Sequence, residues 1–361
     1  MLFELERRPE HSRLMVVIAP VIAVSLTVLT AAILLAVVGV APLHGLAVYF
    51  IEPLQTSWSL EELAVKASPL VLIALGLAVA YVANIWNIGA EGQYITGALL
   101  GGWFALSFQS TGAWWVLPVT LLLGAVGGLA YAMIPAAFRV FFGASEILTS
   151  LMLVYVAQLG LDYLVRGPWR DPHGYNFPQT VTFDPAATMP QLFGGRLHVG
   201  VLITLAIVGL AAIFLGLTLR GFELRVVGIA PRAARFAGFD ERRDVFVAFG
   251  ISGALAGLAG VMEITGPIGQ ILPTISPGYG FAAIIVAFLG RLNPIGILVA
   301  GLILALSYLG GEAAQIKIGV PLDLTYVLQG VLLFFVLACD TLILYRVRAV
   351  HGRRKVVRHA H

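Results

Sequence analysis

The chain has a single cysteine, Cys339, in 361 residues. That excludes a disulfide framework and any multi-cysteine metal site. Lysine is nearly as scarce: only Lys66, Lys317 and Lys355 occur, and none follows a glycine. A Gly-Lys-Ser/Thr phosphate loop is therefore absent, and ATP cannot be held here in the usual P-loop manner. There is no His-Glu-x-x-His and no Gly-x-Ser-x-Gly, which weakens a membrane protease or lipase reading. Charged residues make up only 11% of the chain, against roughly 25% in an average soluble domain. With 59% hydrophobic residues and a mean hydropathy of +0.94, the composition is that of an integral membrane protein.

Ten apolar stretches are long enough, or nearly so, to be spans: 14–40, 67–86, 92–108, 114–138, 147–165, 199–219, 245–266, 279–290, 294–311 and 324–345. The expected fold is all-α and polytopic. The first stretch exceeds the roughly 7–15 apolar residues of a signal-peptide core, so it reads as a retained signal anchor. Of the 22 basic residues, seventeen fall on one side of such a threading. They are Arg7, Arg8, Arg13, Arg139 and Arg291, six between Arg220 and Arg243, and six between Arg346 and Arg358. Lys66, Arg166, Arg170, Arg196 and Lys317 remain for the other side. The positive-inside rule makes the first side cytoplasmic. Residues 1–13 and the basic tail 346–361 then lie inside, flanking a transmembrane domain at 14–345. Loop 166–198, with five prolines, lies outside, and loop 220–244 lies inside. The +3 net charge reflects topology, not a nucleic-acid partner. The tail either binds anionic membrane lipid or anchors the last helix, and His351, His359 and His361 within it read as a solvated end, not a metal site.

Cutting the ten spans at the external loop gives five and five. Five is odd, so the halves enter the membrane from opposite sides, which permits an inverted repeat. Two places break the helical pattern: 84–93, rich in Asn, Gly and polar groups, and 266–280, with three prolines and four glycines. Irregular backbone at membrane depth is tolerated only when buried in protein or lining a wet cavity. The breaks fall at comparable points of the two halves and are expected near a common path. The polar and aromatic groups beside them are Asn84, Asn87, Glu91 and Gln93 at the first, and Glu263, Gln270, Tyr279 and Phe281 at the second. Asn87 reads as an N-cap. Glu91 and Gln93 either face a polar solute or satisfy the broken helix itself. Glu146, Asp162 and Asp340 read as interfacial, and Gln158 is one of the remaining intramembrane polar residues. Gly97/Gly101, Gly124/Gly128 and Gly253/Gly257 have helix-contact spacing and are assigned to packing.

Within the inner loop, Pro231 suits a first helical turn and Gly238 its end. Ala233, Ala234 and Phe236 would form a small-residue face, flanked by Arg232 and Arg235. The segment is either a docking helix or a basic loop that only fixes orientation.

Several of these motifs are familiar in combination: Asn87 to Gln93, Ser145 to Met152, Gly228 to Gly238, Gly278-Tyr279-Gly280-Phe281 with Leu289 to Pro294, and Gly319-Val320-Pro321. Across Ser68 to Asp340 the chain resembles the permease subunits of bacterial ATP-binding-cassette importers for simple sugars, nucleosides and branched-chain amino acids, the nucleoside (purine) branch in particular. The resemblance implies a ten-helix permease in the bacterial inner membrane. It also implies a second, homologous permease or a second copy as partner, and a periplasmic or lipid-anchored solute-binding protein. ATP and Mg would be held by a cytoplasmic ATP-binding subunit, often two fused domains, leaving no cofactor and no metal in this chain. Gly228, Pro231, Arg232, Ala233, Ala234, Arg235 and Gly238 would belong to the element that couples to the ATPase, and Ala234→Arg would uncouple it. The Asn87 to Gln93 motif would line or brace the path of a nucleoside, whose base could stack on Tyr279 or Phe281, or of a simple sugar. Ser145 and Ala90 depart from the residues usual at their positions. The competing class is an ion-coupled secondary transporter; an enzyme lacks any paired nucleophile and base.

Overall fold

The computed structural model describes residues 2–7, 13–192 and 194–350. Arg8, the tail's Arg353, Arg354, Lys355 and Arg358, the three tail histidines and the side chain of Asp340 lie outside the described residues. In chain order the elements are β1 (Leu2–Arg7), α1 (Arg13–Val37), α2 (Pro42–Leu46), α3 (Ser57–Val82), α4 (Ala90–Ser107), α5 (Val116–Phe142), α6 (Glu146–Arg166), α7 (Val199–Leu217), α8 (Leu219–Ile229), α9 (Pro231–Phe236), α10 (Glu241–Glu263), α11 (Tyr279–Leu289), α12 (Pro294–Ile318), α13 (Asp323–Leu344) and β2 (Tyr345–Val350). Each of the ten apolar stretches becomes a helix. Among the described residues, seven helices are long and apolar enough to cross a membrane, and α11 and α13 contribute shorter apolar segments. The eighteen-residue α4 completes the set. The protein is an all-α polytopic membrane protein.

The chain divides into two compact units. The terminal unit holds α1, α2, α13 and both strands. Here β1 pairs antiparallel with β2, Leu2 opposite Val350 through Arg7 opposite Tyr345. That strand pairing was not expected from the sequence.

The larger unit, Ala47–Leu322, has α3 and α10 at its centre. Leu70 to Leu75 of α3 are completely buried. α10 packs on α3, α4 and α5, whereas α3 packs on α10, α11 and α12; α4 also touches α5 and α11, and α11 touches α12. Exchanging α3 with α10, α4 with α11 and α5 with α12 maps this set of contacts onto itself, the relation an inverted repeat requires. Glycines set the closeness of α4, α5 and α10. A Cβ on Gly97 would lie 2.2 Å from the Cα of Gly257, and one on Gly128 would lie 2.2 Å from the carbonyl oxygen of Gly253. Helices meeting backbone to backbone gain dispersion contact that lipid tails cannot replace, as the spacing of these glycines predicts.

Helix ends are closed by local chemistry. Thr56 caps α3 through Ser59 N–H, Asp240 caps α10 through the N–H groups of Arg242 and Arg243, and Asn293 caps α12 ahead of Pro294. Each satisfies donors that a helix leaves unpaired. Loop 166–198 is irregular, as its prolines predict, but it is built into the unit. Its backbone reaches the second break: Thr180 N–H donates to Ile271 O, Phe183 N–H to Gly269 O and Met189 N–H to Thr265 O. The loop thereby satisfies carbonyls that the broken helix cannot satisfy itself.

The loop ends on His198, buried, whose Nδ1 accepts the Gly200 N–H at 3.1 Å and so caps α7. Burial pushes the imidazole pKa below its ordinary 6.5, against the raising effect of Glu62. A folded-state pKa below the unfolded one contributes stability that is complete above about pH 6.5 and is lost as pH falls through the lowered value. The stability that His198 contributes, read as the difference in unfolding temperature between the solubilised unaltered chain and His198→Asn, which keeps a capping acceptor, should therefore be flat above about pH 6.5 and decline below it.

Candidate solute pathway and cytoplasmic coupling element

At the first break α3 stops at Val82, and Asn84 adopts a left-handed backbone with φ +56°. Asn87, fully buried, holds the break together. Its amide nitrogen donates to Gln93 Oε1 (2.8 Å) and Ser252 Oγ (2.9 Å); its oxygen accepts from Gly89 N (3.0 Å) and Gln93 Nε2 (3.1 Å). Two donors and two acceptor sites are all in use. Asn87 and Gln93 thus tie the break to α4 and α10. The cap position itself falls two residues later than the sequence predicts, at Gly89, which has no side chain to offer.

Glu91, 2% exposed, lies in the first turn of α4. Its Oε2 accepts the Gly280 N–H at 2.6 Å, at the start of α11, and Ser276 adds a side-chain hydrogen bond. One carboxylate therefore serves two helix N-termini, where the aligned peptide dipoles favour negative charge. Gly280 permits the approach: a Cβ there would lie 2.3 Å from Glu91 N. Beside this junction Tyr279 is buried edge-on between Tyr94 (6.3 Å) and Tyr308 (5.5 Å), and the Tyr94 hydroxyl donates to Ile275 O. The ring of Tyr279 is enclosed, whereas Phe281 is exposed.

The other residues beside the two breaks have partners of their own. Glu263, half-buried at the end of α10, has Lys66 and Glu62 as charged neighbours. Gln270 donates across to Gln179 of loop 166–198 at 3.4 Å. Asn84 accepts from the Trp86 indole. Asn87, Glu91, Gln93 and Tyr279 come together, and Glu263 lies within electrostatic reach of Tyr279 and Tyr94.

A charged cluster went unnoticed in the sequence. Lys66 pairs with Glu312 (2.9 Å), Arg196 with Glu62 (2.8 Å) and Lys317 with Glu52, and the Arg196 guanidinium lies 5.5 Å from the Trp58 ring centroid. All of these except Lys66 line a cavity of about 480 Å³. The available signal was the short list of five basic residues that the positive-inside reading leaves over. Of those five, Lys66, Arg166, Arg196 and Lys317 each have a carboxylate partner, and Arg170 donates to Asn176.

On the opposite loop, Pro231 opens α9, and Gly238, with φ +81°, follows its end. The expected face is corrected. Ala234 is 2% exposed and turned inward, while Ile229 (84%) and Phe236 (94%) stand out, with Arg232, Ala233 and Arg235 beside them. Three and four residues separate neighbours on one helix face, so Ala233, Ala234 and Phe236 cannot all point one way. Ala234→Arg would therefore disturb packing as well as docking. At the end of α8, Gly228 lies against the last turn of α3, where a Cβ would come 2.0 Å from Val82 O. The loop touches the helix one residue before it breaks. Inside that turn Tyr81, Trp86 and Phe288 stack at 5.2–6.1 Å, joining the first break to the end of α11.

Two helix breaks thus meet within the larger helical unit, at Glu91 and Gly280. The chain belongs to the family described as branched-chain amino acid transport system / permease component, whose model matches residues 59–337. It is 36% identical to the glucose ABC transporter permease protein of Haloferax volcanii, over 93% of this chain and 90% of that one. It is 29% identical to the nucleoside ABC transporter permease protein NupB of Lactococcus lactis (89% and 90% covered) and 27% identical to the guanosine ABC transporter permease protein NupP of Bacillus subtilis (95% and 98%). Among solved structures, an inward-facing putative metal-chelate type ABC transporter aligns with 88% of this chain and 99% of that chain at 16% identity and a TM-score of 0.45. The chain is thus a multi-pass permease of the ABC transporter class. No group of side chains suited to holding a metal ion occurs among the described residues.

Proposed function

We propose that this chain is the gate of an ATP-driven importer in the cytoplasmic membrane, with both termini inside. An extracytoplasmic binding protein delivers a nucleoside or simple sugar. A separate ATPase, which holds ATP and Mg, engages the exposed Ile229 and Phe236 surface of α8 and α9. ATP-dependent movement of that surface switches the two breaks between outward and inward access. The coupling surface must bind the ATPase differently in the two states, because equal affinity shifts no equilibrium.

The observation that carries this reading is a continuous line of contact. It runs from α8 through Gly228 to the last carbonyls of α3, into the first break, and through Glu91 to the start of α11. The named activities of the relatives support a neutral polar solute, and two guanosine permeases of Bacillus subtilis and two nucleoside permeases of Lactococcus lactis match this chain, which supports pairing of two permeases. Because Tyr279 is enclosed, stacking of a base falls to the exposed Phe281.

Proteoliposomes carrying the chain with its ATPase and binding protein should accumulate guanosine or glucose only with ATP. The chain alone should move neither uphill. Concentrative uptake by the lone chain under a proton or Na⁺ gradient would falsify the proposal in favour of an ion-coupled transporter.

A further inference from the structure

Asp244 lies in the first turn of α10 and is 3% exposed. Its Oδ2 is shut off from solvent and has no hydrogen-bond partner among the described residues. A carboxylate taken out of water without a partner is strongly disfavoured. Capping of this helix does not explain it, because that task belongs to Asp240, which accepts the N–H groups of Arg242 and Arg243.

The charged groups within electrostatic reach of Asp244 are Glu223 and Arg220 of α8 and Asp240 and Arg243 of its own stretch of chain. Arg243 is exposed, and adjacent positions on a helix do not face the same way. Arg220 is therefore the cation that can meet the buried carboxylate from a second helix. It is engaged elsewhere: its Nη1 donates to Glu223 Oε2, three residues along α8. A guanidinium carries a fork of N–H donors, so Arg220 stands between two carboxylates, one served and one not. α8 packs chiefly on α7, α9 and α3. A shift of α8 can thus change the distance from Arg220 to Asp244 without opening a main packing interface of α10.

We propose that Asp244 is a positioning residue, the second seat of Arg220, which takes the guanidinium from Glu223 when α8 moves in the transport cycle. The inference rests on the reading above, in which α8 carries the movement of the ATPase, and it adds the device that gives this movement two stopping points. In the arrangement described here Arg220 belongs to Glu223 and Asp244 is unpaired; in the other, Asp244 is paired. Each seat favours one position of α8, and a change between two positions needs such a differential interaction.

Removing either seat should hold α8 on the other, with opposite signs. Nitroxides are attached through Arg225→Cys on α8 and Arg242→Cys on α10, both exposed positions, in the full chain with Cys339→Ser and assembled with its ATPase. The distance distribution is recorded by double electron–electron resonance with and without ATP and Mg. With both seats intact it should contain two populations whose proportions respond to ATP. Asp244→Asn should enrich one population and Glu223→Gln the other, each by about fivefold or more, and Asp244→Glu should retain the ATP response. Asp244→Asn removes an uncompensated charge, so its unfolding temperature should not fall, unlike that of a variant lacking a structural ion pair. In an Arg220→Gln background neither change should shift the distribution further. Shifts of the same sign, or shifts that persist without Arg220, overturn the proposal. An ATP response that both variants leave untouched defeats only the exchange of seats; opposite shifts in a complex that ignores ATP defeat only the coupling reading.

Discussion

Gly228→Ala should abolish coupling while leaving the chain in the membrane. The added Cβ would sit 2.0 Å from Val82 O and 3.0 Å from its carbonyl carbon. These are backbone atoms of the last turn of a buried helix, so α8 must give way. α8 lies at the periphery of its unit, and a displacement of about 1 Å relieves the overlap without opening the core; overpacking of this kind costs about 1–3 kcal/mol. The expected result is normal abundance, continued ATP hydrolysis by the companion subunit and at least a tenfold fall in ATP-driven uptake, the scale that a misplacement of about 1 Å away from the working site can produce. Phe236→Glu should behave differently, because its side chain is 94% exposed. It should weaken capture of the ATPase subunit and leave thermal stability unchanged. Uptake by Gly228→Ala at the level of the unaltered chain would show that the α8–α3 contact transmits nothing.

Gly280→Ala should strongly destabilise the larger unit. Its Cβ would lie 2.3 Å from Glu91 N and 2.5 Å from Glu91 Cα, where the starts of two helices are pinned by their own unit and neither can withdraw alone. The cost is about 3 kcal/mol or more, visible as a lower unfolding temperature in detergent and as loss of uptake. The Glu91 series separates packing from hydrogen bonding. Glu91→Gln keeps an acceptor for the Gly280 N–H and should stay close to the unaltered chain. Glu91→Ala leaves that buried donor unpaired and should cost about 1–3 kcal/mol. Equal stability of the Gln and Ala variants would mean that the 2.6 Å bond contributes nothing.

Much of the architecture was legible because lipid imposes a simple rule. A segment crossing hydrocarbon must satisfy its own amides, so runs such as 199–219 and 294–311 had to be helices. The breaks were legible for the complementary reason: Asn84 to Gln93 and Gly266 to Gly280 hold too many polar groups, glycines and prolines to continue a helix. The start and stop of α9 were written in Pro231 and Gly238. The partners of the polar residues were not legible. Whether Gln93 faces a solute or Asn87 depends on Ser252, 165 positions from Asn87, and no local pattern carries that information. Ala234 was misplaced because six helical residues reveal only which positions share a face, not which face is covered. The pairing of β1 with β2 joins opposite ends of the chain, which periodicity within either segment cannot disclose.

By itself, then, the sequence determined the solvent: apolar length and scarce charge set a helical membrane protein and the two places where its helices break. These follow from the cost of unpaired amides and charges in hydrocarbon, which acts on each segment separately. Only the tertiary structure decided that the two failures meet at Glu91 and Gly280, that loop 166–198 hydrogen-bonds to the second of them and that Gly228 bears on the first. Those are contacts between segments far apart in the chain, set by which surfaces fit at van der Waals distance.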